Sequence, residues 1–304
     1  MRASCPMIDE YDEPLSHDGR VDAWVPVWTA GQVAARLGVT ESTLRSWHRR
    51  YGLEPRAKGS GAHRRYSHDD VTLLGRLREL VDGGMRPSVA AGLLNEMPVL
   101  REVQQSVVEA AKRLDTSTCV EVLTRTLHRW GVVRTWDRVC RPSLTSIERA
   151  QATDPDRVDE EHALSWSVTT ALHRVRQPWA QARVLLACAP GEHHSLPVEA
   201  LAAALAESDV PARVLGAAMP QAALVRAVTS TRPQAVLLWS HRPDLAHHRA
   251  AEAVAAAGPR LVVAGPGWGV PHPGWVHPGS LSSAVMVLGE AHRTTDSPRP
   301  VPRG

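Results

Sequence analysis

The sequence predicts a mainly α chain that finishes in an α/β domain: a helix-turn-helix, a small four-helix bundle, then a flavodoxin-like doubly wound parallel sheet. Three observations predict it. Residues 29–51 hold two cappable helical stretches separated by Gly38. Residues 98–178 place apolar side chains at helical spacings of three and four. Beyond Pro178, short continuous apolar runs alternate with helical stretches, the pattern of parallel strands buried on both faces.

Taken in order, residues 1–25 have no periodicity and are expected to be a disordered tail. Thr29 and Gln32 have the spacing of a capping box, so a helix starts there, with Val33 and Leu37 one turn apart on its inner face. Gly38 suits a left-handed stop, and Thr40 can cap a second helix that turns Leu44 and Trp47 inward. Two short helices joined so tightly make a helix-turn-helix. Ser67 caps a third helix with Val71, Leu74, Leu77 and Val81 on one face, stopped by Gly83 and Gly84. Pro87 opens a short helix through Leu94, which completes a first domain over residues 26–97.

Residues 98–178 read as four helices. The first carries Val99, Val103, Val107 and Leu114; the second is capped near Asp115 and ends at Gly131. The third spans Val132 to about Ala150, kinked by Pro142. After the polar break TDPDR, the fourth runs from Val158 to Val175. Short connections favour antiparallel neighbours and hence a bundle. Over residues 179–293 the strands are ARVLLACA, ARVLG, AVLLW and LVVAG, with a short WVHP after them. The helices between are Val198 to Glu207, one from Gln221, one near Asp244 to Ala257, and a last from Leu281 to His292. Residues 294–304 are expected to be a second disordered tail.

Composition bounds the function. A chain of 304 residues with 43% apolar residues has room for two or three domains with real cores. Its four cysteines (Cys5, Cys119, Cys140, Cys188) show no CxxC spacing, which fits reduced thiols in the cytoplasm and not a disulfide framework or structural zinc. No apolar run reaches the roughly 18 residues of a membrane span, and the acidic N-terminal stretch is unlike a signal peptide. The net charge of +3 is modest, yet Arg45 to Arg65 holds Arg45, Arg49, Arg50, Arg56, Lys58, Arg64 and Arg65 against the single acid Glu54. Trp47, Tyr51 and Tyr66 are interleaved. Such a local excess is the footprint of a protein that grips a phosphate backbone.

The stretches TAGQVAARLGVTESTLRSWHRRYGL and GAHRRYSHDDVTLLGRLRELVDGGM resemble the two helices, then the wing and third helix, of the MerR family of winged helix-turn-helix regulators. The resemblance implies that Glu41 to Arg49 enters the major groove of operator DNA, with Ser42, Thr43 and Arg45 at base edges or phosphates. Arg64, Arg65 and Tyr66 on the wing, with Arg49 and Tyr51, would hold flanking phosphates and set register.

In a doubly wound sheet, ligands sit beyond the carboxyl ends of the strands at the switch point. In the flavodoxin-like order these loops hold Glu192, His193 and His194, then Ser240, His241 and Arg242. No GxGxxG follows the first strand, which argues against a nicotinamide dinucleotide, and GPGWG at Gly265 to Gly269 reads as turns. Together GEHHSLP, the Ala-rich helix, RVLGAAMP, VLLWS and VVAGPGWG resemble a cobalamin-binding domain. The resemblance assigns His194 as lower axial ligand to cobalt and Glu192 as its acidic partner. It also places Ser240, Gly265 and Gly267 around the cofactor; Pro197 stands where a glycine is usual.

Reader, bundle and sheet in this order resemble the CarH/LitR-type light-sensing repressors, in which adenosylcobalamin holds an oligomer on DNA. Their bundle carries a Trp about ten residues before a Glu-His pair. Here the pair is Glu161-His162, but Gln151 stands at the Trp position and Ala152 follows it. The expectation is therefore a homo-oligomeric, non-enzymatic regulator with a more open upper corrin face and a feeble or absent light response. Two alternatives stand beside it. One is a cobalamin-independent regulator whose C-terminal half only oligomerises or binds another ligand or protein. The other is a corrinoid carrier or enzyme, which the DNA-reading end disfavours. A zinc or nickel site from His193, His194, His241 and His272 is a weaker possibility.

Overall fold

The computed structural model describes residues 28–53, 55, 65–269 and 272–293. The two expected tails and Arg56, Lys58 and Arg64 lie outside the described residues. The chain forms two compact units, residues 1–99 and 100–304.

The first unit opens with strand β1 (Trp28–Thr29), then helices α1 (Ala30–Arg36) and α2 (Glu41–Tyr51), strand β2 (Arg65–Tyr66), helix α3 (His68–Asp82) and the start of helix α4 (Pro87–Lys112). β1 pairs antiparallel with β2, Trp28 opposite Tyr66. The expected caps are in place. Thr29 and Gln32 close a reciprocal capping box, Thr40 caps α2, and Ser67 with Asp70 closes a second box on α3. Val33, Leu44, Trp47, Leu74, Leu77 and Leu94 pack into one core with Tyr66. Arg78 on α3 fixes the turn between α1 and α2 by donating to the carbonyls of Leu37 and Gly38 at 3.4 and 3.2 Å.

A short helix through Leu94 and a separate bundle helix carrying Val99 to Leu114 were expected on either side of Pro98, but α4 is continuous through it. A proline inside a helix removes one backbone donor. Leu94 is buried in one core and Leu100 in another, so packing holds the turns before and after it.

The second unit contains the rest of α4, then α5 (Thr116–Thr135), α6 (Arg141–Gln151) and α7 (Val158–Leu172). Gly131 interrupts α5 at φ 78°, ψ 170°. The turn that resumes beyond it is capped by Glu207, whose carboxylate accepts the Val132 N–H at 3.0 Å. Before Pro142 the helix widens into a π turn over Trp136–Cys140. Pro142 thereby falls in the first turn of α6, where its missing donor costs little.

The sheet comprises β3 (Val184–Cys188), β4 (Ala212–Val214), β5 (Ala235–Trp239) and β6 (Arg260–Ala264), with helices α8 (Leu196–Glu207), α9 (Gln221–Thr231), α10 (His248–Ala256) and α11 (Leu281–Arg293). All four strands are parallel in the order β4-β3-β5-β6, the flavodoxin-like order expected. α8 and α11 cover one face through Val198, Leu201, Leu205 and Leu288. α9 and α10 cover the other through Leu224, Val228, Ala251 and Val254. The small residues Ala200, Ala203 and Ala204 on the outer side of α8 pack into the bundle core, so bundle and sheet share one helix. WVHP adds only a single bridge, Val276 beside Val262.

Candidate functional site

Two sites emerge, one on each unit. On the first, α2 buries Leu44, Trp47 and His48 and exposes Ser42, Arg45, Arg49 and Arg50. Ser42, Arg45 and Arg49 follow at i, i+3 and i+7, so they line one face. Arg45 lies 3.6 Å from the Glu41 carboxylate and donates to the Glu41 carbonyl at 3.3 Å, and both side chains are more than half exposed. The Ser42 and Thr43 hydroxyls lie 2.7 and 2.9 Å from the Thr40 hydroxyl, inside the cap network at the start of α2. Tyr51 is half-buried, and its carbonyl accepts a bond from Asn95 at 2.6 Å.

The strand β2 separates two residues that the sequence reading had grouped. Arg65 is exposed, but Tyr66 is 1% exposed. Alternation along a strand sends successive side chains to opposite sides, and Tyr66 goes into the core. There its ring stacks on His48 with centroids 5.6 Å apart, its hydroxyl 3.4 Å from His48 Nε2. Tyr66 is therefore a core residue and not a phosphate contact. His48 itself was missed, although its position four residues after Leu44 places it on the same inner face.

The second site lies at the carboxyl edge of the parallel sheet. The loop after β3 carries Glu192, which is fully buried, and His194, whose side chain is 57% exposed. Glu192 Oε1 accepts the backbone N–H of His194 at 2.9 Å and lies 2.6 Å from His194 Nδ1. Its other oxygen accepts the backbone N–H of His241, in the loop after β5, at 2.7 Å. One carboxylate thus ties together the loops on either side of the switch point. Burial alone would raise the Glu192 carboxyl, but these N–H bonds and the His194 imidazole outweigh it and hold the group below its ordinary value. The His194 and His241 rings lie 4.8 Å apart. His193 and His272 do not join them: His272 stacks on Trp275 instead. Among the described residues no three His, Cys, Asp or Glu gather as metal ligands.

Ser240 is fully buried, and its hydroxyl donates to the Arg242 carbonyl at 3.0 Å. The loop after β6 presses against it. A Cβ on Gly265 would meet the Ser240 carbonyl oxygen at 2.2 Å, and one on Gly267 the Arg242 carbonyl oxygen at 2.5 Å. Only glycine permits this approach, so both glycines shape the floor beside the histidine loop. Pro197 is the second residue of α8, in the first turn where a missing N–H is harmless. The nearby Cys188 thiol is pushed up to about 12 by burial and by the charges of Glu192 and Glu199, so it is neutral and not a nucleophile at neutral pH.

On the bundle, Glu161 accepts a hydrogen bond from Ser165, and His162 is exposed 4.0 Å from the Glu161 carboxylate. Gln151 Nε2 donates to the Arg157 carbonyl at 3.2 Å and closes the α6–α7 connection. A cavity of about 650 Å³ lies elsewhere, bounded by Arg174, Val175, Trp179, Ala206 and Glu207.

The donor chemistry of the histidine loop fits a cobalamin. A buried carboxylate fixes the imidazole through Nδ1, and the exposed ring offers Nε2 as a nitrogen donor of defined tautomer.

These features define a helix-turn-helix regulator joined to a helical bundle and a flavodoxin-like sheet, and residues 28–97 match the family described as MerR HTH family regulatory protein. The chain is 30% identical over 227 residues to the HTH-type transcriptional repressor CarH of Myxococcus xanthus, covering 67% of this chain and 76% of that protein. It is 28% identical over 217 residues to the HTH-type transcriptional repressor CarA of the same organism, covering 68% and 74%. Among solved structures it is similar to the Methanosarcina barkeri monomethylamine corrinoid protein, at 12% identity and a TM-score of 0.48 over 62% of this chain and 98% of that one. The chain belongs to the CarH family of helix-turn-helix transcriptional regulators and is a DNA-binding protein.

Proposed function

We propose that this chain is a cytoplasmic repressor that binds operator DNA through α2 and the wing, and that it binds a cobalamin through His194 to govern its assembly and DNA affinity. The observation that carries the cofactor reading is the Glu192–His194 pair: a fully buried carboxylate 2.6 Å from the ring nitrogen of a half-exposed histidine. In this reading His194 would offer Nε2 to the cobalt, and Glu192 would hold the ring in the tautomer that leaves Nε2 unprotonated. Ser240, Gly265 and Gly267 form the adjoining floor. When bound, the cofactor would supply a cobalt centre able to exchange a ligand.

At the DNA end, Arg45 reads base edges or phosphate in the major groove, Ser42 and Thr43 support it from the helix start, and Arg49, Tyr51, Arg64 and Arg65 grip the backbone. One reader of this size supplies limited specificity, so the operator is expected to carry repeated half-sites bound by an oligomer. The bundle and sheet are the expected assembly surfaces. A test is the visible spectrum during titration with adenosylcobalamin and hydroxocobalamin, in dark and light. Binding that is unaffected by His194→Ala removes the ligand assignment.

A second reading is favoured by Gln151, which stands where relatives resembling this chain place an aromatic lid and is committed to the Arg157 carbonyl. In that reading the C-terminal half assembles the regulator without cofactor. No spectral change with either cobalamin would select it, leaving the DNA-reading assignment intact.

A further inference from the structure

Where the bundle meets the far end of α8, opposite the histidine loop, an open cavity lies at the amino edge of the sheet. Its volume is about 650 Å³, and its floor is apolar, with Leu127 and Ala171 from the bundle and Ala206 from α8. Its rim carries both signs: Arg174 and Arg176 beyond the end of α7, and Glu207 and Asp209 at and just past the end of α8. Trp179 stands on the same rim and is 96% exposed, so nearly the whole indole is left in water.

Helix α11 delivers the chain to this edge. It covers the same face of the sheet as α8. A Cβ on Gly289 would lie 3.8 Å from Val210, the residue after Asp209, so the last turns of α11 run beside the end of α8. Arg293, the last residue of α11, is four residues further on, about 6 Å along the helix axis. The sequence then continues as TTDSPRPVPRG, residues 294–304, which lie outside the described residues. In this stretch Pro298, Pro300 and Pro302 alternate with Arg299 and Val301, and Arg303 follows. Each proline fixes φ near −65° and lacks an N–H, so such a run favours the extended polyproline form. At about 3.1 Å per residue in that form, the stretch is long enough to leave α11 beside Val210 and cross a cavity whose wall includes Asp209.

We propose that residues 294–304 fold back over this cavity, the proline run docking on the Trp179 indole as an extended strap between the end of α8 and the end of α7. Proline-rich segments suit exposed aromatic surfaces because their stiff backbone loses little entropy on binding. Arg299 and Arg303 bring positive charge to Glu207 and Asp209, and Asp296, ahead of the prolines, brings negative charge to Arg174 and Arg176. Position favours this occupant over another molecule, since a short tether holds the segment at an effective concentration of order millimolar. The strap requires no cofactor. It adds a further tie between bundle and sheet, at the opposite end of α8 from the contact of His173 with Glu199.

Oxidative labelling with mass spectrometry tests this by comparing the full chain with a variant that ends at Arg293. Trp179 should be oxidised roughly tenfold more slowly in the full chain, as expected for a segment held at millimolar effective concentration. Trp166, 58% exposed on α7, should react alike in both, which also shows that the shortened chain keeps its fold. Arg299→Glu combined with Arg303→Glu should raise the Trp179 rate toward that of the shortened chain. The peptide TTDSPRPVPRG, added to the shortened chain at about millimolar concentration, should restore the protection. Equal Trp179 rates in the full and shortened chains overturn the proposal. Protection that appears only as protein concentration rises also overturns it, and assigns the cavity to a second copy.

Discussion

Glu192 joins the loops after β3 and β5, and its replacement has a calculable cost. The carboxylate has no solvent exposure and accepts two backbone N–H groups, from His194 at 2.9 Å and His241 at 2.7 Å, besides its contact with the His194 ring. Glu192→Ala leaves both N–H groups without this acceptor, at about 1–3 kcal/mol for each that water does not reach. Glu192→Gln keeps one carbonyl acceptor but turns an NH2 toward the second N–H, so about 1–3 kcal/mol is expected at neutral pH. For a unit of this size each kcal/mol lowers Tm by about 2–4 °C. The sign with pH follows from the direction of the shift. A carboxyl held below its ordinary value stabilises the fold above its unfolded pKa of about 4.3, and that contribution is lost as pH falls through the lower folded value. Thermal unfolding followed by circular dichroism should therefore separate wild type from Glu192→Gln at pH 7, and the gap should close in acid below about pH 4. Equal melting temperatures at pH 7, or a gap that widens in acid, would refute the account of this carboxylate.

Other substitutions probe the remaining assignments. Arg45→Ala should weaken operator binding by about 1–3 kcal/mol, and Arg65→Ala should reduce the salt slope of binding by about one; wild-type affinity and slope, measured by fluorescence anisotropy over a salt series, would remove both from the interface. Tyr66→Phe should lower the stability of the reader by about 1 kcal/mol while leaving the salt slope unchanged; a reduced slope would mean that the hydroxyl meets DNA after all. Glu207→Ala should destabilise the second unit by about 1–2 kcal/mol because the Val132 N–H loses its cap, and denaturant unfolding that matches wild type would show that water serves equally well.

Much of this architecture was legible because short-range chemistry dictates it. Thr29, Thr40 and Ser67 cap their helices as their spacing requires, and the continuous apolar run at Val184 to Cys188 is the fully buried central strand. The Glu-x-His spacing also delivered its geometry, since two residues suffice for a carboxylate to reach the ring of its neighbour. The misreadings arise where distant packing overrides a local signal. Pro98 is an ordinary helix stop in sequence, yet buried leucines on both sides carry α4 through it. Tyr66 sits in a basic, wing-like stretch, and only its pairing opposite Trp28 directs it inward to His48.

The same long-range contacts explain how a ligand at the sheet edge can reach the bundle. α8 begins just beyond His194, buries its alanine face in the bundle core, and ends at Glu207, which caps the turn after Gly131. A displacement of the histidine loop would pull on the first turn of α8, where Glu199 holds His173, and so on the end of α7. Packed helices have few alternative arrangements and do not deform continuously, so such a pull is resolved by a discrete shift or not at all. This is a route for coupling and becomes a mechanism only if both ends bias the same element. His173→Ala separates the two cases. If α8 and α7 move as one, cutting the Glu199 contact should leave cobalamin affinity near wild type while reducing the change in operator affinity that cobalamin produces. If both quantities stay at their wild-type values, coupling does not run through this contact.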